Sequence, residues 1–267
     1  MVYITGDCHG DFSRFKRRAF PEQRDLTKDD IMIICGDFGG IWTNHEDSSE
    51  KYWLDHMNNR KFTTVFVCGN HENYDRLYSE YEVVDFHGGK AHKIRDSIYH
   101  LIRGEIYDFG GKTFLAFGGA SSHDVDDGIL REEDFVSYHE YKKTVKRMER
   151  QHMMFRVDHE SWWEQELPSK EEYDNALQHL AKVDYKVDYI VSHCAPQSVV
   201  NRLFKLLDKK YEIYGYAYEM PTPDALTKWF DELLPKLDFK HWYFGHYHDN
   251  IEVDDKFTLL YEKITTV

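Results

Sequence analysis

Short apolar, β-branched runs recur along the chain, each ending in glycine or a polar residue: Val2 to Thr5, Ile31 to Cys35, Thr64 to Cys68, Thr113 to Phe117, Tyr189 to Ser192 and Trp242 to Phe244. Runs of this length without polar alternation predict strands buried on both faces. Between several of them, at Glu50 to Arg60, Ser169 to Val183 and Pro223 to Leu234, apolar residues recur at spacings of three and four, which predicts amphipathic helices. Ser169 with Glu172 three positions later suits a capping box, and Thr222 before Pro223 suits an N-cap followed by proline at the first helical position. A further strand at Phe257 to Tyr261 follows an Asp254-Asp255 turn. Strands alternating with helices give an α/β class.

One segment breaks this rhythm. From Ser121 to Glu166 the chain is heavily charged: Asp124, Asp126, Asp127, Glu132, Glu133 and Asp134 precede Lys142, Lys143, Lys146, Arg147, Arg150 and Arg156. Charge runs are usually solvated faces, so the expectation is an exposed helical excursion whose two halves pair. The sharper alternative is a lid whose basic half faces an anionic substrate. No repeat or linker divides the chain, and residues 1–267 are expected to form one domain carrying this excursion at about 121–166.

Composition narrows the function. With 41% apolar and 16% aromatic residues the chain has enough large side chains to build a core. Its 34 basic and 48 acidic residues leave a formal net charge of -14, which disfavours nucleic acid or an anionic membrane as a partner. Four widely spaced cysteines indicate neither a zinc knuckle nor a disulfide scaffold. No run approaches the length of a membrane span, and a soluble, cytoplasmic protein is expected.

Candidate chemistry sits just beyond the strand ends. Gly6-Asp7-Cys8-His9-Gly10, Gly36-Asp37, Gly69-Asn70-His71-Glu72, His193 and Gly245-His246-Tyr247-His248 each follow a predicted strand. Sites in open α/β sheets form outside the carboxyl ends of the strands, so these loops are expected to converge. Asp7, His9, Asp37, Asn70, His193, His246 and His248 make seven donors, too many for one small cation. They divide between two ions if Asp37 bridges: Asp7, His9, Asp37 and His248 around one, and Asp37, Asn70, His193 and His246 around the other. Imidazole and carboxylate donors without thiolate suit manganese, iron, zinc, cobalt or nickel, with manganese and iron favoured.

These ordered motifs, GDCHG, GD, GNHE, SH and GHYH, resemble those of the calcineurin-like metallophosphoesterase superfamily over residues 6 to 248. The stretches Phe117 to Ser121, Ser161 to Ser169 and Ser192 to Pro196 are similar to a bacterial branch of it. The resemblance implies a four-layer α/β/β/α sandwich with two mixed sheets flanked by helices, and the same division of ligands. It also implies hydrolysis of phosphate mono- or diesters, in which two metal ions activate a bridging water and clamp the phosphoryl oxygens. His71 matches the family's general acid, with Glu72 or Asp75 as candidates to orient it.

The family's protein phosphatases carry GDxxDRG, whereas Gly36-Asp37-Phe38-Gly39-Gly40-Ile41-Trp42 supplies neither the second carboxylate nor the arginine. A small-molecule or nucleotide substrate is therefore favoured over a phosphoprotein. A phosphate-binding arginine must come from elsewhere; Arg131, between the acidic and basic halves of the excursion, is the candidate, with Arg76 and Arg103 as rivals. His123, after Gly118-Gly119-Ala120, is a candidate for the substrate pocket. Alternatives within the superfamily are a dinucleoside polyphosphate hydrolase, a nuclease or a protein phosphatase. An inactive metal-binding interaction module is a further one, and the full donor set argues against it.

Overall fold

The computed structural model describes residues 1–212 and 220–267. Six strands appear in the first part of the chain, β1 (Val2–Thr5), β2 (Ile31–Ile34), β3 (Thr63–Phe66), β4 (Val83–Phe86), β5 (Gly89–Arg95) and β6 (Ile98–Leu101). Then come β7 (Ile106–Asp108) and β8 (Thr113–Phe117), the two-residue pair β9 (Ile129–Leu130) and β10 (Arg156–Val157), and β11 (Tyr189–Ser192), β12 (His241–Phe244), β13 (Ile251–Asp254), β14 (Phe257–Leu259) and β15 (Thr265–Thr266). The helices are α1 (Ser48–Asn58), α2 (Tyr74–Ser79), α3 (Tyr138–Arg150), α4 (Lys170–Lys182), α5 (Gln197–Tyr211) and α6 (Ala225–Leu233).

Two large mixed sheets form, in the orders β15-β1-β2-β3-β6-β5-β4 and β13-β14-β12-β11-β8-β7. The central strands β1, β2 and β3 run parallel, as do β8, β11, β12 and β14, so both groups point their carboxyl ends the same way within their sheets. Three apolar layers hold them. Ile4, Ile33, Val65 and Leu101 meet Phe114, Ala116 and Val191 between the sheets. On the far side of the first sheet, Met32, Ile34 and Phe66 pack on Leu54 and Met57 of α1 and Leu77 of α2. On the far side of the second, Leu115, Ile190 and Trp242 pack on α4, α5 and α6. Alternate residues of β2 thus bury on opposite faces, which explains why its sequence Ile-Met-Ile-Ile shows no polar alternation. This is the expected sandwich of two mixed sheets flanked by helices.

The predicted strands and helices match observed elements with bounds shifted by one or two residues. Ser169 and Glu172 do form a capping box on α4. The start of α6 differs: its N-cap is Asp224, whose carboxylate accepts the Thr227 N–H at 2.7 Å, rather than Thr222 before Pro223. The Asp224 carboxylate also accepts from Ser121 Oγ, which ties the start of this helix to the loop after β8.

The charged excursion contains β9, α3 and β10. Only Tyr141 and Met148 of α3 are buried, so that helix presents its charges to solvent. Cross-pairs tie the excursion together: Arg156 to Asp124 at 2.6 Å, Arg131 to Asp158 at 3.2 Å and Lys142 to Glu160 at 3.2 Å.

Candidate metal centre at the strand ends

Backbone hydrogen bonds lock the loops together before any side chain is considered. The Asp37 carbonyl accepts the N–H groups of Cys8 at 2.9 Å and His9 at 2.8 Å, and the Phe38 carbonyl accepts that of Gly10. Glu72 accepts the N–H groups of Phe38 at 2.8 Å and Gly39 at 3.2 Å, joining the Asn70 loop to the Asp37 loop. The N–H of His246 donates to both carboxylate oxygens of Asp7 at 3.0 Å. In these loops His9, Asp37, His246 and His248 adopt φ values of 48°, 45°, 75° and 48°. Left-handed backbone costs on the order of 1 kcal/mol for each non-glycine residue, and the loops carry it where the donors converge. Two flanking glycines make room: a Cβ on Gly69 would collide with the Asp37 carboxylate, and one on Gly245 with that of Asp7.

The side chains then meet. One ligand atom each from Asp7, His9, Asp37 and His248 all lie within 4.8 Å of one another. The Nε2 atoms of His9 and His248 stand 2.9 Å apart, and His248 Nε2 is 3.2 Å from Asp7 Oδ2. Two such nitrogens aimed at one another need a proton or cation between them. Asp37 faces two ways: Oδ2 lies 3.6 Å from His9 Nε2, while Oδ1 lies 3.2 Å from His193 Nε2. His193 Nε2 is in turn 3.3 Å from Asn70 Oδ1, and the rings of His193 and His246 are 4.9 Å apart. All seven donors expected from the sequence thus gather at the strand ends, the carboxylates buried and His9 and His248 exposed. Donor type, convergence and burial of the carboxylates all fit a cation site.

Electrostatics agree with that fit. Burial works against charge on His193, but the Asp37 and Asp7 carboxylates overcome it and lift its pKa to about 9. Burial likewise opposes charge on Asp37, yet the imidazoles of His193, His71 and His9 hold its carboxyl well below the usual carboxylate range. The site therefore keeps its negative charge and draws a positive one. Burial lowers the pKa of His246 and, less strongly, of His9, favouring the neutral imidazoles that ligate metals.

His71 sits at the margin. Its N–H donates to Asp37 Oδ1 at 2.8 Å, and its ring lies 4.8 Å from that of His9 and 5.4 Å from that of Trp42. Burial lowers its pKa to about 4, with a smaller contribution from the charge of Arg156. Neither proposed orienting carboxylate reaches it: Glu72 is occupied by the Phe38 and Gly39 N–H groups, and Asp75 accepts from Trp163 Nε1 and pairs with His159. Trp42 backs the His71 ring, and Trp163, completely buried, packs edge-on against Trp42 at 5.6 Å.

The other candidates separate. His123 is exposed, its ring 5.5 Å from that of His246. Arg131 pairs with Asp158 and lies over the Trp162 ring, and the structure does not bring it to the donor cluster. Arg76 is buried against Glu50 and Glu80, and Arg103 is buried against Gly118, Tyr74 and the backbone of Gln165 and Glu166. Both serve the fold. The sequence passed over Arg156 and Glu166. The charge of Arg156 acts on both His71 and Glu166, and the Glu166 carboxyl is buried against Ser122, which touches Asn70. A charged residue beside tryptophans, returning from an excursion, was the available signal.

The family model for calcineurin-like phosphoesterases matches residues 1–250. The chain belongs to that family, a family of metal-dependent phosphoesterases, and the Asp/His cluster is its candidate metal-ligand group. No curated protein matches the chain.

Proposed function

We propose that this protein is a two-metal phosphoesterase that hydrolyses mono- or diesters of small molecules or nucleotides. The observation that carries this reading is Asp37, with one carboxylate oxygen toward His9 and the other toward His193. Asp7, His9, Asp37 and His248 would hold one ion, and Asp37, Asn70, His193 and His246 the other. Two such ions, manganese or iron by preference, supply water activated at neutral pH and neutralise phosphoryl charge. His71 is the proton donor to the leaving oxygen. Its pKa of about 4 reflects burial that outweighs the opposing charge of Asp37; a phosphoryl dianion alongside favours the charged form and raises it. Trp42 and Trp163 fix the ring by packing, the role a carboxylate plays in the phosphoprotein branch.

The small-substrate preference rests on the missing second carboxylate and arginine in Gly36 to Trp42 and on the net charge of -14. His123, exposed beside His246, is proposed to line the pocket. The test is a panel of phosphomonoester and phosphodiester chromogens, cyclic nucleotides and dinucleoside polyphosphates with protein reloaded with Mn, Fe, Zn, Co or Ni. Hydrolysis of at least one class with about two ions per chain by elemental analysis is expected. A replete protein that never exceeds one ion, or that turns over nothing, overturns it.

A further inference from the structure

Asn70 is a neutral donor among imidazoles and carboxylates, and an amide ligates a cation only through its oxygen. Something must keep the NH2 group from turning inward. The Asn70 Nδ2 faces Ser122 Oγ at 3.4 Å while its Oδ1 faces His193. Ser122 in turn meets both oxygens of one carboxyl: its Oγ donates to Glu166 Oε1 at 2.9 Å and its N–H to Glu166 Oε2 at 3.0 Å. Ser122 is 7% and Glu166 2% exposed, so no water competes freely for these contacts. Arg103, itself buried, donates to the carbonyls of Gln165 at 2.7 Å and Glu166 at 3.2 Å and fixes this returning segment to the body.

The chain of bonds has a direction. A hydroxyl has one proton; when Glu166 accepts it, Ser122 Oγ can only accept from Asn70. We infer that Glu166 and Ser122 are positioning residues that set the Asn70 amide with its oxygen toward the second cation. This rests on the two-ion reading above.

Burial raises the Glu166 pKa to about 8, against the pull of the Ser122 bonds and of Arg156. A cation held by Asn70 favours the ionised form, which accepts at both oxygens. Glutamine has the same shape but only one acceptor. In Glu166→Gln, either the Ser122 N–H meets an NH2 group or Ser122 Oγ receives a proton and turns its own toward Asn70. The second arrangement reverses the amide.

The experiment titrates chelator-stripped wild type, Glu166→Gln and Ser122→Ala with Mn2+ by calorimetry, with elemental analysis and thermal melts alongside. The expected result is one ion bound as in wild type and the other about 10- to 100-fold weaker in both variants, with no fall in melting temperature. Wild-type affinity for both ions in both variants overturns the inference. So does equal weakening of both ions accompanied by a lowered melting temperature, which marks a role in the fold alone. Wild type that saturates with one ion overturns the two-ion reading itself, and is distinguished because it precedes any variant.

Discussion

Asp37 and Arg131 are both charged residues in loops, and they show how differently two regions of this molecule are built. Asp37 is 1% exposed, stands three residues beyond the end of the second strand, and its carbonyl and carboxylate accept three backbone N–H groups. The Arg131 side chain is 38% exposed and is held by one carboxylate and one indole face. Strand-end loops inherit their positions from a ladder that cannot slip without exposing a core. The excursion takes its positions from exchangeable pairs of long side chains, each worth little when solvated. Chemistry that tolerates no misplacement lies in the first region.

That contrast can be broken by substitution. Asp37→Asn should have the largest effect: loss of both ions by elemental analysis and esterase activity reduced to background. Retention of two ions would mean that Asp37 does not bridge. His71→Ala should keep the wild-type ion content yet lose about 100- to 10,000-fold in kcat on an alkyl phosphate, and much less on a nitrophenyl ester whose leaving group needs no proton. Equal loss on both esters would remove the acid role.

Glu166, where the excursion rejoins the body, gives an intermediate effect with a definite sign. Its folded pKa of about 8 lies above the ordinary 4.5, so the folded metal-free protein holds a proton that the unfolded chain has released. The stabilisation is complete below about pH 4.5 and is lost as pH rises toward 8, by up to about 1.4 kcal/mol per pH unit. Urea melts of stripped wild type and Glu166→Gln should diverge across that window, with wild type the steeper. Parallel profiles would mean that Glu166 titrates normally. Smallest of all, Arg131→Ala should change kcat/KM by less than about twofold, as for an exposed pair. A large rise in KM would place Arg131 in the substrate pocket after all.

Much of the centre was legible in the sequence, for physical reasons. Buried parallel strands produce apolar runs with sharp ends, and Asp7, Asp37, Asn70, His193 and His246 stand one or two residues after such ends. The edge hairpin Val83–Phe86 and Gly89–Arg95 escaped because it is partly solvated and carries Asp85, Lys90, Lys93 and Arg95, so no apolar run marks it. The neighbours of the His71 ring escaped for another reason. Sequence offers Glu72 and Asp75 by proximity, but successive side chains leave a loop in different directions, and one reached the Phe38 amide while the other reached Trp163. Arg156 and Glu166 belong to an excursion that packs Trp163 against Trp42, more than a hundred residues away in the chain. No local pattern encodes that distance.

The pairing of β1 with β15, Tyr3 beside Thr266, gives the centre a history as well as a geometry. Asp7 receives the His246 N–H from 239 positions along the chain, and His248 stacks on Tyr261 at 4.9 Å. Contacts of such separation are the slow ones to form. A ribosome still translating the middle of this message therefore holds Asp7 and His9 without the partners that complete their site. The proposed first cation position is therefore complete only after His246 and His248 have docked on the loop after β1.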